Sequence, residues 1–261
     1  MVDFQYKDSY DVNDLVEIVR ILRSPGGCPW DAEQTHESIR RDFLEETYEV
    51  AEAIDEGSTE HLKEELGDVL LQVALHTRIE EELGNFNLND VADGVCKKLI
   101  YRHPHVFGDV SVSGTGEVLT NWDALKRKEK HQATHTDALN SVARSLPALW
   151  RAEKVQKKAK KAGFDWPDVS GALDKLSEEL TEFKAAVAEN SNVEEELGDL
   201  LFSSVNAARF VKVDPEIALQ KATEKFIGRF RRVEELAGDR PMEDMDLAEL
   251  DKLWEQAKHE A

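Results

Sequence analysis

Positive charge is scarce in this chain: 33 Lys and Arg stand against 54 Asp and Glu, a formal net charge of −21. Such a surface repels phosphate backbones and anionic lipid, which argues against nucleic acid or a membrane as partner. A phosphorylated ligand remains open to an acidic chain if metal cations stand between the charges. Cysteine is nearly absent. Cys28 and Cys96 have no metal-like spacing and make no disulfide framework, which fits a reducing compartment. No apolar run approaches the roughly 18 residues of a membrane span. The opening Met1-Val2-Asp3-Phe4-Gln5 does not read as a signal peptide, so a cytoplasmic location is expected. Proline and glycine are few, 7 and 14, while 33% of residues are charged and 41% hydrophobic. That balance predicts a soluble, mostly helical protein.

What the chain does have, it has twice. Glu45-Glu46-x-x-Glu49 is followed by Glu65-Leu66-Gly67-Asp68, and Glu178-Glu179-x-x-Glu182 by Glu196-Leu197-Gly198-Asp199. At about 100° per residue, positions i, i+1 and i+4 share roughly a 100° arc of a helix, and i and i+3 roughly 60°. Between the two blocks lie turn signals, Gly57-Ser58-Thr59 and Asn190-Ser191-Asn192. Ser191 with Glu194 fits a capping box. Glu182 and Asp199 each lie about 12 Å along a helix from the turn. An antiparallel hairpin therefore brings five carboxylates to one level.

Carboxylates at one level repel unless a cation joins them, and an all-oxygen set suits a hard ion such as Mg²⁺ or Mn²⁺. A solvated acidic helix face is the plainer alternative. Recurrence of the whole set weighs against it. So do Gly67 and Gly198, each costing about 1 kcal/mol against Ala inside a helix. Close approach of backbone or ligand is the expected reason for them.

Helices are expected over about 9–23, from near 35, over 59–83, 89–101, 117–130, 148–162, 170–189, 191–211, from 214 onward and over 247–259. The run 69–75 is apolar nearly all round, which suggests a dimer interface. Two prolines and two glycines exclude helix over 24–31, and Trp30 there is expected to anchor in the core. Residues 163–168 break the pattern again, echoing Trp30-Asp31. Lys98 and Arg102 recur as Lys225 and Arg229, each pair one turn apart on a helix. Trp122 with Lys126 recurs as Trp254 with Lys258. Metal, phosphate oxygens and a base ring call for that combination, although each basic pair alone reads equally as a surface salt bridge. The domain reading is a module over 1–130, a polar linker over 131–145 and a second module over 146–261.

The combination resembles the MazG family of nucleoside triphosphate pyrophosphohydrolases, in its two-module bacterial form. Both carboxylate sets match that family's metal motif. Cys28-Pro29-Trp30-Asp31, Arg102-His103-Pro104-His105-Val106-Phe107 and Gly163-Phe164-Asp165-Trp166 match other stretches typical of it. The resemblance spans nearly the whole chain. It implies an all-α fold of two tandem four-helix-bundle-like modules, an intertwined homodimer, and Mg²⁺-dependent cleavage of nucleoside triphosphates, ATP included, to monophosphate and pyrophosphate with broad base tolerance. It also implies a catalytic C-terminal module and a structural or regulatory N-terminal one. One departure is Asn192, where family members can carry lysine.

On that footing Glu179, Glu182, Glu196 and Asp199 are the expected metal ligands, and Glu178 the candidate general base or water-positioning group. Lys175, Lys225 and Arg229 are expected on the phosphates, Trp254 on the base, and Lys258 and Lys126 near the nucleotide. Glu45, Glu46, Glu49, Glu65 and Asp68 form a second candidate metal cluster. Two other classes remain: a non-catalytic nucleotide-sensing scaffold, and a di-iron bundle. The latter expects Glu-x-x-His on two helices, whereas Glu33 to His36 has no twin.

Overall fold

A computed structural model describes residues 4–129 and 133–260, and among them there is helix but no strand. The chain divides into two compact units between Lys126 and Arg127.

The first unit is built on α1 (Val12–Arg23), the short α2 (Pro29–Glu33), α3 (Arg40–Glu56), α4 (Thr59–Glu82), α5 (Leu88–Arg102), a single turn α6 (Pro104–Phe107) and most of α7 (Thr115–Glu129). Helices α3 and α4 form a hairpin. Gly57 closes α3 in the left-handed region at φ 69°, and the Ser58 side chain accepts from the His61 amide to start α4. Helix α1 lies against α4. Val19, Ile39, Ala74, Leu75 and Ile79 are buried between them, with Leu15 and Leu71 packed alongside.

Three expectations fail here. Helix forms at 29–33 despite the prolines, because Pro29 occupies the first helical turn, where no amide hydrogen is needed. Trp30 is no core anchor: it is 61% exposed. The helix expected from near residue 35 starts only at Arg40, since Thr35 and Ser38 engage each other's backbone.

The second unit holds α8 (His135–Asn140), α9 (Ala148–Lys161), α10 (Val169–Glu189), α11 (Val193–Phe210), α12 (Pro215–Ala237), a 3₁₀ turn (Met242–Asp244) and α13 (Leu247–Glu260). Helix α8 lies within the stretch expected to be linker. Asp168 caps α10 and Asp214 caps α12, where Pro215 takes the first position as its sequence predicts. Trp150 Nε1 donates to Asp214 at 2.9 Å, tying α9 to the start of α12. The α10–α11 hairpin does not use the expected Ser191 cap. Asn190 and Asn192 both sit left-handed, at φ 51° and 52°, and Asn192 opens α11 without a side-chain bond. Asparagine tolerates that region better than other non-glycine residues.

Close backbone approach at the repeated glycines is also absent. A Cβ at Gly67 or Gly198 would meet nothing within 4 Å, whereas one at Gly171 would lie 2.2 Å from Trp166 Cδ1. On α10 it is Gly171 that makes room for a neighbour, as Gly27 does for the end of α1, while Gly198 does not.

Candidate functional site

The α10–α11 hairpin aligns Glu179 with Glu196 and Asp199, and one oxygen of each lies within 4.8 Å of the others. Glu179 is buried, Glu196 half-buried and Asp199 exposed. Burial pushes the Glu196 carboxyl above its usual range, and the negative charges of Glu182, Glu179 and Asp199 push it further. The α3–α4 hairpin repeats the arrangement with Glu46, Glu49 and Glu65. There, burial raises Glu46, followed by the charges of Asp68, Glu49 and Glu65, and Glu65 is raised chiefly by burial and by Glu49. In both hairpins the groups strain against their own repulsion. A hard divalent cation relieves that strain, and three or four carboxylate oxygens on facing helices are the donors it takes. The residues present therefore fit the expected metal.

Not all five carboxylates of a set converge. Glu45 and Glu178 are exposed and stand outside their triads, and Asp68 and Glu182 also lie outside them, close enough for their charges to act on Glu46 and Glu196. Glu178 instead accepts a hydrogen bond from Lys175 Nζ at 2.7 Å, and the same ammonium lies 2.7 Å from Glu179. Those two carboxylates raise the Lys175 pKa well above its ordinary value, so the lysine stays charged. In the first module His61 takes the neighbouring place. It lies 3.1 Å from Glu65 and 2.8 Å from Glu56, which raises its pKa. His36, the residue of the di-iron alternative, turns away from the first cluster to His76 and Glu80, at 2.7 Å each.

Beside the second cluster opens a cavity of about 590 Å³ whose wall includes Lys175, Glu179 and Asp199. Gln156 on α9, Phe164 and Trp166 from the 163–166 turn, and Asn206 on α11 complete the part that matters here. Its volume falls in the range of small-molecule sites. Asp165 holds the turn in place through a fork with Arg209, 3.0 Å on one arm and 2.5 Å on the other. At the corresponding helical positions the first module carries apolar side chains. Leu71 and Leu75 stand three and seven residues after Asp68, as Phe202 and Asn206 do after Asp199, and both pack with Val19.

Of the expected phosphate contacts Lys175 lines the cavity, and the others do not. Lys225 is exposed on α12, and Arg229 is half-buried there with its Nε lacking a hydrogen-bond partner. Trp254 packs its ring 5.1 Å from Phe226, and Lys258 pairs with Glu255 at 2.5 Å. None of these four lines the cavity. In the first unit, Trp122 has the Arg102 guanidinium 5.3 Å and the Lys126 ammonium 4.7 Å from its ring centre. Sequence reasoning missed Gln156, Asp165, Asn206 and Arg209. The available signal was a polar residue on the buried stripe of α9 and another on that of α11.

A family model described as the MazG nucleotide pyrophosphohydrolase domain matches residues 34–107 and again 169–234. The chain is 46% identical over 247 residues to a nucleoside triphosphate pyrophosphohydrolase/pyrophosphatase MazG of Thermotoga maritima, covering 94% of each. It is 43% identical over 256 residues to a nucleoside triphosphate pyrophosphohydrolase of Escherichia coli, covering 95% of this chain and 97% of that one. An uncharacterised Bacillus subtilis protein, YabN, is 50% identical over 254 residues, which span 52% of its length.

Proposed function

The chain belongs to the MazG nucleotide pyrophosphohydrolase family, and from that premise we propose that it hydrolyses nucleoside triphosphates, ATP among them, to the monophosphate and pyrophosphate. The observation that carries this reading is the junction of the Glu179–Glu196–Asp199 cluster with the cavity, across the fixed charge of Lys175. A triphosphate needs cation neutralisation at one end and a shaped apolar recess for its nucleoside at the other. Here the two adjoin.

Glu179, Glu182, Glu196 and Asp199 would hold Mg²⁺, or Mn²⁺. When bound, the ion supplies charge neutralisation and an activated water. Lys175 stands where a phosphate oxygen can replace Glu178 or Glu179 as its partner, so it is positioned to draw the ligand in and to offset charge as the bridging bond breaks. Glu178, outside the triad, is the carboxylate left to orient the attacking water. The nucleoside occupies the cavity against Phe164 and Trp166. Stacking reads no sequence, so this supports tolerance of several bases. Lys225, Arg229, Trp254, Lys258 and Lys126 are proposed as further nucleotide contacts.

The first module is structural or regulatory. It keeps the carboxylates, but Val19, Leu71 and Leu75 fill the recess that a nucleoside needs. The working form is a homodimer without nucleic acid or membrane partners. No helix among the described residues is long and apolar enough to cross a membrane, which is in keeping with a cytoplasmic enzyme. Incubation of the purified chain with ATP and Mg²⁺ should release AMP and pyrophosphate. Direct release of ADP and phosphate, with no pyrophosphatase present, would contradict the assigned reaction.

A further inference from the structure

Two buried amides line the cavity: Asn206, 9% exposed, and Gln156, 7% exposed. Each has one end tied to protein. Asn206 Oδ1 accepts from Arg209 Nε at 3.0 Å and from Nη2 at 2.6 Å. A guanidinium only donates, so the orientation of the Asn206 amide is settled and its Nδ2 remains as a donor. That nitrogen is the donor Asn206 has left to offer where it lines the cavity. Gln156 is tied the other way. Its Nε2 donates to the Phe202 carbonyl at 2.8 Å, and its buried Oε1 has no partner. One donor and one acceptor are thus left over at one cavity.

Folding does not require them. Helix α1 packs on α4 as α9 packs on α11, and the first module puts Leu75 at the position of Asn206 with Val19 of α1 against it. A buried amide end without a partner, as at Gln156 Oε1, destabilises a fold relative to such an apolar filling. The first module also leaves a buried amide oxygen without a partner, Gln72 Oε1, but in the second module the two amides line a cavity beside a carboxylate cluster, and that setting points to a ligand that completes them. Arg209 also grips Asp165, which lies between Phe164 and Trp166, so one guanidinium fixes both the amide and the aromatic wall.

Resting on the triphosphate reading, we propose that Asn206 and Gln156 are the specificity residues for the nucleobase, gripping its polar edge. Asn206 Nδ2 donates to a ring nitrogen or carbonyl of the base, and Gln156 Oε1 accepts from the neighbouring amino or ring N–H. Adenine, guanine, cytosine and uracil each carry an acceptor beside a donor. The pair therefore admits all of them, and discriminates against a ring with no N–H to give. Arg209 is a positioning residue that acts through Asn206.

Asn206→Asp keeps the oxygen that Arg209 grips and loses the donor. The expected result is a KM for ATP raised roughly ten- to a hundredfold, with kcat retained and an unchanged inhibition constant for inorganic tripolyphosphate, which has no base. Gln156→Met keeps volume and loses the acceptor. The unaltered chain should favour ATP over purine riboside triphosphate, which lacks the 6-amino group, and Gln156→Met should bring that preference close to one. Unchanged KM in Asn206→Asp overturns the proposal, as does a parallel shift of the tripolyphosphate constant. If circular dichroism shows Asn206→Asp unfolded, the Gln156→Met ratio decides alone. An unaltered chain with no turnover of any nucleoside triphosphate defeats the triphosphate reading itself. Turnover with no base-edge effect defeats only the assignment of the two amides.

Discussion

Lys175 Nζ lies 2.7 Å from Glu179 Oε1, and Glu179 is 5% exposed, the buried member of the second carboxylate cluster. Four residues before Glu46, the matching place in the first module, stands Asp42. One module thus sets a fixed positive charge beside its carboxylates, while the other has an aspartate at that place and offers only the titratable His61, 3.1 Å from Glu65. For an anionic ligand the direction is plain, although solvent screens its size. The cavity lies with the lysine and the packed core with the aspartate. Glu179→Ala and Asp199→Ala should each cut hydrolysis by at least about a hundredfold, while Glu46→Ala and Asp68→Ala leave most of it. Steady-state rates of the four variants, each checked by circular dichroism, test this. Loss of activity in the N-terminal pair alone would reverse the assignment of the modules.

Gly171 and Trp166 give a second prediction. A Cβ at 171 would sit 2.2 Å from the indole, so Gly171→Ala must push the ring off α10. The aromatic wall of the cavity then loosens while the helices persist. KM for ATP should rise several-fold with an unchanged far-ultraviolet spectrum. If the variant binds ATP as tightly as the parent, Trp166 does not form the nucleoside wall.

The carboxylate hairpins were legible in the sequence because a helix repeats every 3.6 residues and the chain wrote the same faces twice. Their turns were legible too, as Gly57 and Asn190 show. The cavity was not. Whether α9 packs flush on α11 or leaves a recess depends on Asn206 against Leu75, and helical periodicity gives both the same inward position. Trp30 and Trp166 looked alike as breaks between helices. Only the notch at Gly171 gives Trp166 a seat, while Trp30 remains exposed. Trp254 packs against Phe226 in the chain, which spacing does not reveal: spacing shows which residues share a helix face, not what that face meets.

Apolar side chains on α5 and α12 remain uncovered in the single chain. Val95 and Leu99 are 40% and 48% exposed, and Leu219 and Ile227 are 58% and 44%. The proposed homodimer would bury faces of that kind. Light scattering should give twice the 29.5 kDa chain mass, and Leu99→Glu combined with Ile227→Glu should shift the protein toward monomer with loss of activity. A monomer that is fully active at micromolar concentration and below would rule out a dimer-built enzyme.

The last prediction concerns acid. His36 and His76 meet Nδ1 to Nδ1 at 2.7 Å, with rings 9° apart in plane, and His36 Nε2 faces Glu80 Oε1 at 2.7 Å. Only one hydrogen fits between the two Nδ1 atoms, so the pair cannot carry two full charges without parting. Glu80 also accepts from Asn85 at 2.7 Å, Phe43 lies against His76, and Arg40 lines the same recess. Burial, then the charge of His36, lowers the His76 pKa below its ordinary 6.5. A histidine held below its unfolded value favours the neutral form in the fold. Its contribution is complete above about pH 6.5 and is lost as pH falls through the lowered folded value. His61, raised by Glu56, has the opposite sign: its contribution is present below pH 6.5 and is lost as pH rises through the folded value. A single melting profile therefore mixes the two. The difference between the parent and His76→Ala isolates the first, and Ala207 in the second module shows that alanine suits this position on the helix. The parent should lose melting temperature more steeply than His76→Ala between pH 7 and the lowered His76 value. Parallel profiles over that range would mean that the histidine pair carries no acid sensitivity.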